Sequence, residues 1–371
     1  MKIIVFDLPA SESGALAILK DFYQYILKYS PKIIEWELII STTSLENPPV
    51  GSNINILRFP ETKKNWLNRI RFELFYAARL VREYNADIIL SLQNIIILGT
   101  KLPQVVYVHQ SLPYVNKHFS YFRRYERFLA FYADIFRPLI AYSVRKAVVI
   151  IVQTTWLKNA IAHRHHIDPS KIAVIPPSVR LNIPPSINAQ DRSLFFYPTT
   201  PFVYKNIELI IEAVCFLHYD GLTPHVLLTI RGDENNYARF LLKRVLALGL
   251  SEYIRFIGRI SRNELVVKYQ EATLLFPSKL ESFGLPLLEA RIANGRIVAA
   301  DTPFSREILV GYPYASFHGE NDVIRLASEM KTIMVGAVNN LEMLSSGGSV
   351  ELEAEWAKLV VLLVDSVNTR K

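Results

Sequence analysis

Two glutamates eight positions apart, Glu281 and Glu289, flank the run Phe283-Gly284-Leu285-Pro286. The apolar run before them ends at Phe276, so Glu281 falls in a loop after a strand. A helical pattern begins near Pro286, where a proline's missing N–H would have had no partner anyway. Glu289 then lies in the first or second helical turn. One carboxylate from a loop and one from a helix can line one ligand. The backbone N–H groups of Phe283, Gly284, Leu285 and Leu287 are expected to point outward at the helix start, where an anion is favoured. Gly284 lets a ligand approach the chain closely.

The run ESFGLPLLE at 281–289 resembles the E-x7-E motif of retaining GT-B glycosyltransferases of family 4. The likeness extends upstream through IRFIGRISRNELVVKYQEATLLFPS, downstream through NGRIVAADTPFSREIL, and to VYKNIELIIEAV at 203–214. It is looser in VVYVHQSLPY and IVQTTWLKNAI. This resemblance implies an α/β GT-B fold, two doubly wound Rossmann-like domains facing a central cleft. It implies a nucleotide-sugar donor, UDP- or GDP-linked, used as substrate with no metal or other cofactor.

The resemblance also implies roles. Glu289 binds the ribose hydroxyls, and Glu281 sits beside the donor sugar. The Phe283, Gly284 and Leu285 amides meet sugar or diphosphate. Lys205 neutralises the diphosphate as it leaves, a charge-stabilising role of the kind that usually dominates catalysis. Backbone groups of Gly258, Arg259 and Ile260 cradle the base. His109 contacts the donor sugar, and Gly14 belongs to the loop that approaches the phosphates or acceptor. The sequence departs from the family at Pro198-Thr199, where a Gly-Arg pair is usual. Thr199 can donate a hydrogen bond but brings no charge. The reaction implied is sugar transfer to a hydroxyl of a glycan or lipid-linked acceptor, with retention through a same-face displacement. The alternatives are a non-catalytic GT-B subunit that binds donor or partner, and a GT-B epimerase or phosphorylase.

Elements must hold these residues in place. Short β-rich runs alternate with amphipathic stretches, which predicts parallel sheets built from βαβ units. Strands are expected at 2–6, 87–91, 105–109, 148–153 and 172–175, then at 194–197, 225–231, 254–257, 273–276 and 297–300. Residues 181–192, LNIPPSINAQDR, read as a linker. Domains are therefore expected at 1–185 on the acceptor side and at 190–350 on the nucleotide-sugar side. A last helix within 352–371 returns to the first domain, as in family members.

With 371 residues, half of them apolar and 20% charged, the chain is no disordered polymer and suits two ordinary domains. No apolar run reaches the ~18 residues of a membrane span, and the start reads as a strand rather than a signal peptide. One cysteine, Cys215, allows no disulfide framework and fits a reducing, cytoplasmic compartment. Residues 1–185 carry 23 Lys+Arg against 13 Asp+Glu, and the remainder 19 against 21, so the first half faces something anionic. The basic aromatic stretch 117–146 sets Tyr121, Tyr125 and Phe128 at helical spacing beside Arg123, Arg124 and Arg127. That pattern suits an acceptor face against an anionic membrane, peripheral on its inner side. Nothing resembles a nucleic-acid module. His163, His165 and His166 read as a solvated helix end.

Overall fold

The computed structural model describes residues 1–10, 13–114, 119–185, 191–336, 348–352 and 355–368. It divides into two compact units, residues 1–114, 132–178 and 353–371 in one and residues 115–131 and 179–352 in the other.

The first unit is built on a seven-stranded parallel sheet. In chain order its strands are β1 (Lys2–Asp7), β2 (Glu35–Ile40), β3 (Ile54–Arg58), β4 (Ile88–Ser91), β5 (Gln104–Val108), β6 (Val149–Val152) and β7 (Ile172–Val174). Their spatial order is β3-β2-β1-β4-β5-β6-β7. The helices are α1 (Ser13–Tyr29), α2 (Trp66–Arg71), α3 (Ala77–Glu83), α4 (Arg127–Lys146, its first residues grouping with the other unit) and α5 (Thr155–His165). Strands buried on both faces read as continuous apolar runs, as in IIVF of β1 and VIIV of β6. The last helix of the chain, Trp356–Asn368, completes this core. Its Trp356, Leu359 and Leu363 are buried with Phe22, Trp36 and Tyr107, and the Trp356 indole N–H donates to Asp21 at 2.6 Å.

The second unit carries a six-stranded parallel sheet. After β8 (Val179–Ile183) come β9 (Leu194–Tyr197), β10 (His225–Leu228), β11 (Ile254–Phe256), β12 (Thr273–Phe276), β13 (Ile297–Ala300), β14 (Ala315–His318) and β15 (Gly348–Leu352). The sheet order is β11-β10-β9-β12-β13-β14, and β8 and β15 pair antiparallel beside it. Helices α6 (Ile207–Tyr219), α7 (Asn236–Ala247), α8 (Arg262–Glu271), α9 (Leu285–Ile292), α10 (Pro303–Ile308) and α11 (Val323–Met334) follow, and the C-terminal helix is α12.

Several expectations need correction. Leu181–Ile183 belongs to strand β8, with Val179, Leu181 and Ile183 buried against Val266, Leu285 and Leu288. Its alternation had been masked by the prolines that follow. Strands β2, β3, β14 and β15 were also missed. Helix α4 starts at Arg127, so Tyr121 and Tyr125 lie in the turn before it and share no helical face with later residues. His165 is buried edge-on against Tyr114 rather than solvated. Among the described residues no helix is long and apolar enough to cross a membrane.

Candidate active site

In an open parallel sheet, ligands gather beyond the carboxyl ends of the strands where the strand order reverses. In the second unit that switch lies between β9 and β12. The loops leaving these two strands carry Lys205 and Glu281. The β9–α6 loop ends in a short turn at Val203–Lys205, and Asn206 follows in the left-handed conformation as the N-cap of α6. The Asn206 side chain donates to the Glu320 carbonyl at 2.9 Å, and the Tyr197 hydroxyl donates to the Lys205 carbonyl at 3.2 Å. From the β12 side, Lys279 N–H donates to the Tyr204 carbonyl at 2.9 Å. That backbone bond, with the Ser278 hydroxyl donating to the same carbonyl at 3.5 Å, ties the two loops together. The Lys205 ammonium meets the Glu281 carboxylate at 2.5 Å, each side chain only 16% exposed. The two opposite charges thus meet where the strand order of the sheet reverses.

Gly284, at φ 98°, turns the chain into α9, and Pro286 occupies its first turn. A Cβ at Gly284 would lie 3.3 Å from Leu287 Cδ1, in a backbone region that favours glycine. Phe283 is buried, and Leu285 packs on β8. The Leu287 amide is not available to a ligand as expected, because it donates to the Gly284 carbonyl at 2.9 Å.

Glu289 lies one helical turn further on and is nearly fully buried. Its Oε2 accepts from the Tyr269 hydroxyl at 2.9 Å, and its Oε1 pairs with Arg262 at 3.1 Å. Burial raises its carboxyl pKa, while the Arg262 charge and the tyrosine bond oppose the rise. Both oxygens therefore have protein partners, with lone pairs left for hydroxyl donors. Arg262 opens α8, whose Ser261–Glu264 capping box fixes the start of the helix. Sequence reasoning missed Tyr269 and Arg262; their signal was the position of α8 beside α9.

Gly258 sits at φ 72° beneath the Arg231 side chain, and its N–H donates to the Ile230 carbonyl at 3.0 Å. Its N–H is therefore not offered to a base. Thr199 is bound on both sides by Thr229, its N–H donating to Oγ1 at 2.8 Å and its carbonyl accepting at 3.1 Å. Its backbone is thus consumed, and the side chain at 199 brings no charge. Lys279, whose N–H meets the Tyr204 carbonyl while its ammonium donates to Asn321 Oδ1, is a second cation that sequence reasoning missed.

Residues 119–126 lie on this same unit. Tyr125 leans on Tyr237 and Phe240, with ring centroids 5.8 and 5.2 Å away. Buried Glu126 pairs with Arg123 at 3.3 Å, and Arg127 Nε donates to the Tyr121 carbonyl at 2.9 Å. Arg123, Arg124 and Tyr125 border a cavity of about 580 Å³ whose other side includes Asn206, Glu208 and Lys279. The Phe128 side chain lies outside the described residues.

In the first unit the strand order reverses between β1 and β4. Three polar atoms at this carboxyl edge are buried without partners among the described residues: Asp7 Oδ1, Gln93 Nε2 and His109 Nδ1. His109 N–H donates to Asn94 Oδ1 at 2.7 Å, so the Asn94 amide NH2 faces His109 Nε2 at 3.2 Å and donates to it. The proton of the neutral ring then resides on Nδ1. Burial lowers the His109 pKa to about 4 and raises that of Asp7. Gly14 lies in the first turn of α1. Asp7 and Gln93 were not singled out from the sequence, because a lone Asp or Gln after an apolar run is an ordinary loop residue.

Two family models match in tandem, "Glycosyltransferase Family 4" over residues 37–182 and "Glycosyl transferases group 1" over residues 180–342. The chain belongs to the family 4 glycosyltransferases. Its pair of parallel-sheet α/β domains is the GT-B fold. Sucrose-phosphate synthase from Thermosynechococcus elongatus superposes with a TM-score of 0.65 at 15% identity, covering 91% of this chain and 90% of that one. Anabaena HepE in complex with UDP-glucose gives 0.62 at 15% identity, covering 90% and 89%. By sequence, the O-antigen chain mannosyltransferase RfbU of Salmonella typhimurium is 29% identical over 176 residues, 47% of this chain and 48% of that protein. The chain thus spans about half the length of this curated relative.

Proposed function

We propose that this family 4 protein transfers a sugar from a UDP- or GDP-linked donor to a hydroxyl of a glycan or lipid-linked acceptor, with retention. The observation that carries the reading is the Lys205–Glu281 pair at the switch point of the second sheet, with Glu289 in the helix that follows. The donor diphosphate takes over the Lys205 ammonium and the open amides at the α9 start. This frees Glu281 to accept hydroxyls of the sugar. Glu289 accepts from the ribose, and the Gly258–Ile260 backbone borders the base.

As the sugar–phosphate bond breaks, charge grows on the diphosphate, and Lys205 stabilises it. The leaving oxygen takes the proton of the acceptor hydroxyl on the same face of the sugar, which preserves the anomeric configuration. Lys279 supplies further positive charge in place of the family arginine. His109 serves as a neutral imidazole toward the donor sugar, and its Nδ1–H, with Asp7 and Gln93, suits a polyhydroxylated ligand. Gly14, in the first turn of α1 rather than in the loop itself, follows the β1–α1 loop that approaches phosphates or acceptor. Arg123, Arg124 and Tyr125 belong to the acceptor face. An O-antigen mannosyltransferase among the relatives supports a surface polysaccharide as the product.

Incubation with labelled UDP- and GDP-sugars and a bacterial lipid extract tests this. Label should enter a glycolipid with wild type, with its anomeric configuration kept by NMR, and fail to do so with Lys205→Ala. Label entry that is indifferent to Lys205 and Glu281 favours the non-catalytic reading, to which Pro198-Thr199 lends its support. Conversion of the donor without any acceptor favours the epimerase.

A further inference from the structure

We propose that the outward face of residues 63–76 in the first unit docks on an anionic lipid bilayer. Helix α2 passes into α3 through a π-turn at Phe72–Tyr76. The inner side of this segment is ordinary. Phe72, Ala77 and Val81 are buried with Phe6 and Ile89, and the Phe72 ring lies 4.7 Å from Phe59. The outer side departs from the rule for a surface helix, which places polar residues toward water. Leu67, Ile70 and Leu74 recur at three- and four-residue spacing and are 59%, 42% and 49% exposed, and Phe75 beside them is 71% exposed. The π-turn adds a residue to the helical turn, so Leu74 and Phe75 both face out while Phe72 and Ala77 stay in. Such turns concentrate at functional positions.

Cations frame this apolar stripe. Residues 61–79 hold five Lys+Arg and two Asp+Glu, a net +3. Lys63, Lys64, Arg71 and Arg79 are exposed, while one of the two acids, Glu73, is taken up by Arg69 at 2.9 Å. Arg71 lies 6.0 Å from the Tyr76 ring centroid. Exposed aliphatic and aromatic side chains interleaved with lysine and arginine match a bilayer interface, where apolar groups enter the acyl boundary and cations meet anionic headgroups. A second copy of the same face would set +3 against +3, so charge argues against a symmetric dimer here. The surface is distinct from residues 121–128, where Tyr125 turns toward Tyr237 and Phe240.

This inference deepens the lipid-linked reading of the acceptor. Flotation of the purified full chain with phosphatidylcholine vesicles, and with phosphatidylcholine–phosphatidylglycerol vesicles, tests it. Wild type should float with the anionic vesicles only, and high salt should weaken binding. The triple variant Ile70→Ser, Leu74→Ser, Phe75→Ser should lose about tenfold or more in vesicle affinity. Lys63→Glu with Lys64→Glu and Arg71→Glu should abolish the preference for anionic lipid, whereas Phe122→Ser should bind as wild type. All these positions are exposed, and a retained nucleotide-sugar melting shift shows that the variants fold. No flotation of wild type, or undiminished flotation of the triple variant, overturns the proposal. So does a dimer in solution that the triple variant dissociates. Failure to float with the donor shift intact leaves the glycosyltransferase reading standing, so the two fall separately.

Discussion

At the scale of single residues, the site is defined by which charges can change partners. Lys205 and Glu281 hold each other, and in the proposed reaction Lys205 stabilises the leaving diphosphate. Lys205→Ala should lower transfer by about 10²- to 10³-fold, the usual cost of removing one charge-stabilising group. A kcat within threefold of wild type would contradict its assigned role. His109 supplies a pH signature. Its ring stays neutral to about pH 4 in the fold, against ~6.5 in the unfolded chain. Between these values only the unfolded chain takes the proton. The stability His109 contributes is therefore full above about pH 6.5 and is lost as pH falls toward 4. His165, also lowered to about 4, acts in the same direction, while the raised carboxyls of Asp7 and Glu289 act in the opposite one. Comparison with His109→Asn isolates the histidine. From pH 7 to pH 5 wild type should lose about 2 kcal/mol more stability than the variant. Equal losses in denaturant titrations would show that the ring is solvated.

At the scale of elements, Glu289 depends on the contact of α8 with α9. Gly295, which follows α9, packs on the α8 residue Tyr269 so closely that an added Cβ would stand 2.2 Å from its carbonyl oxygen. Gly295→Ala should move α8, loosen the Tyr269–Glu289 bond and cost about 1–3 kcal/mol as an overpacked site. Thermal melts and donor binding should both weaken; an unchanged melt would mean that α8 yields freely. The α9 motif was legible because Pro286, Gly284 and the apolar run carry their own backbone rules. So were the strands of both sheets that are long and uninterrupted. Strands β2, β3 and β14 were not, since EWELII, INILR and ASFH mix polar and apolar residues without clean alternation. Strand β8 pairs with a partner about 170 residues later in sequence, and no local pattern encodes such a pairing. Tyr269, Arg262, Asp7 and Gln93 share that reason. Each is an unremarkable residue until the fold brings it to a carboxylate or a sheet edge.

At the scale of the whole molecule, the chain returns to its beginning. Helix α12 fills the first unit, its Trp356 edge-on to Phe22 at 5.3 Å. Trp356→Ala should cost about 3–5 kcal/mol, as for other buried tryptophans. That loss should appear as a lower melting temperature for the first unit, with the nucleotide-sugar shift of the second retained; loss of both together would mean that the two units unfold as one. The central claim is that the second unit binds a nucleotide-sugar through Glu289 and its neighbours. A melting panel of UDP- and GDP-sugars on wild type and Glu289→Ala tests it most directly. A donor at about 100 times its Kd should stabilise wild type by roughly 2.7 kcal/mol. The account predicts a shift with one donor class that disappears in the variant, while the variant itself folds. No shift with any donor, or a shift that Glu289→Ala leaves intact, would contradict it.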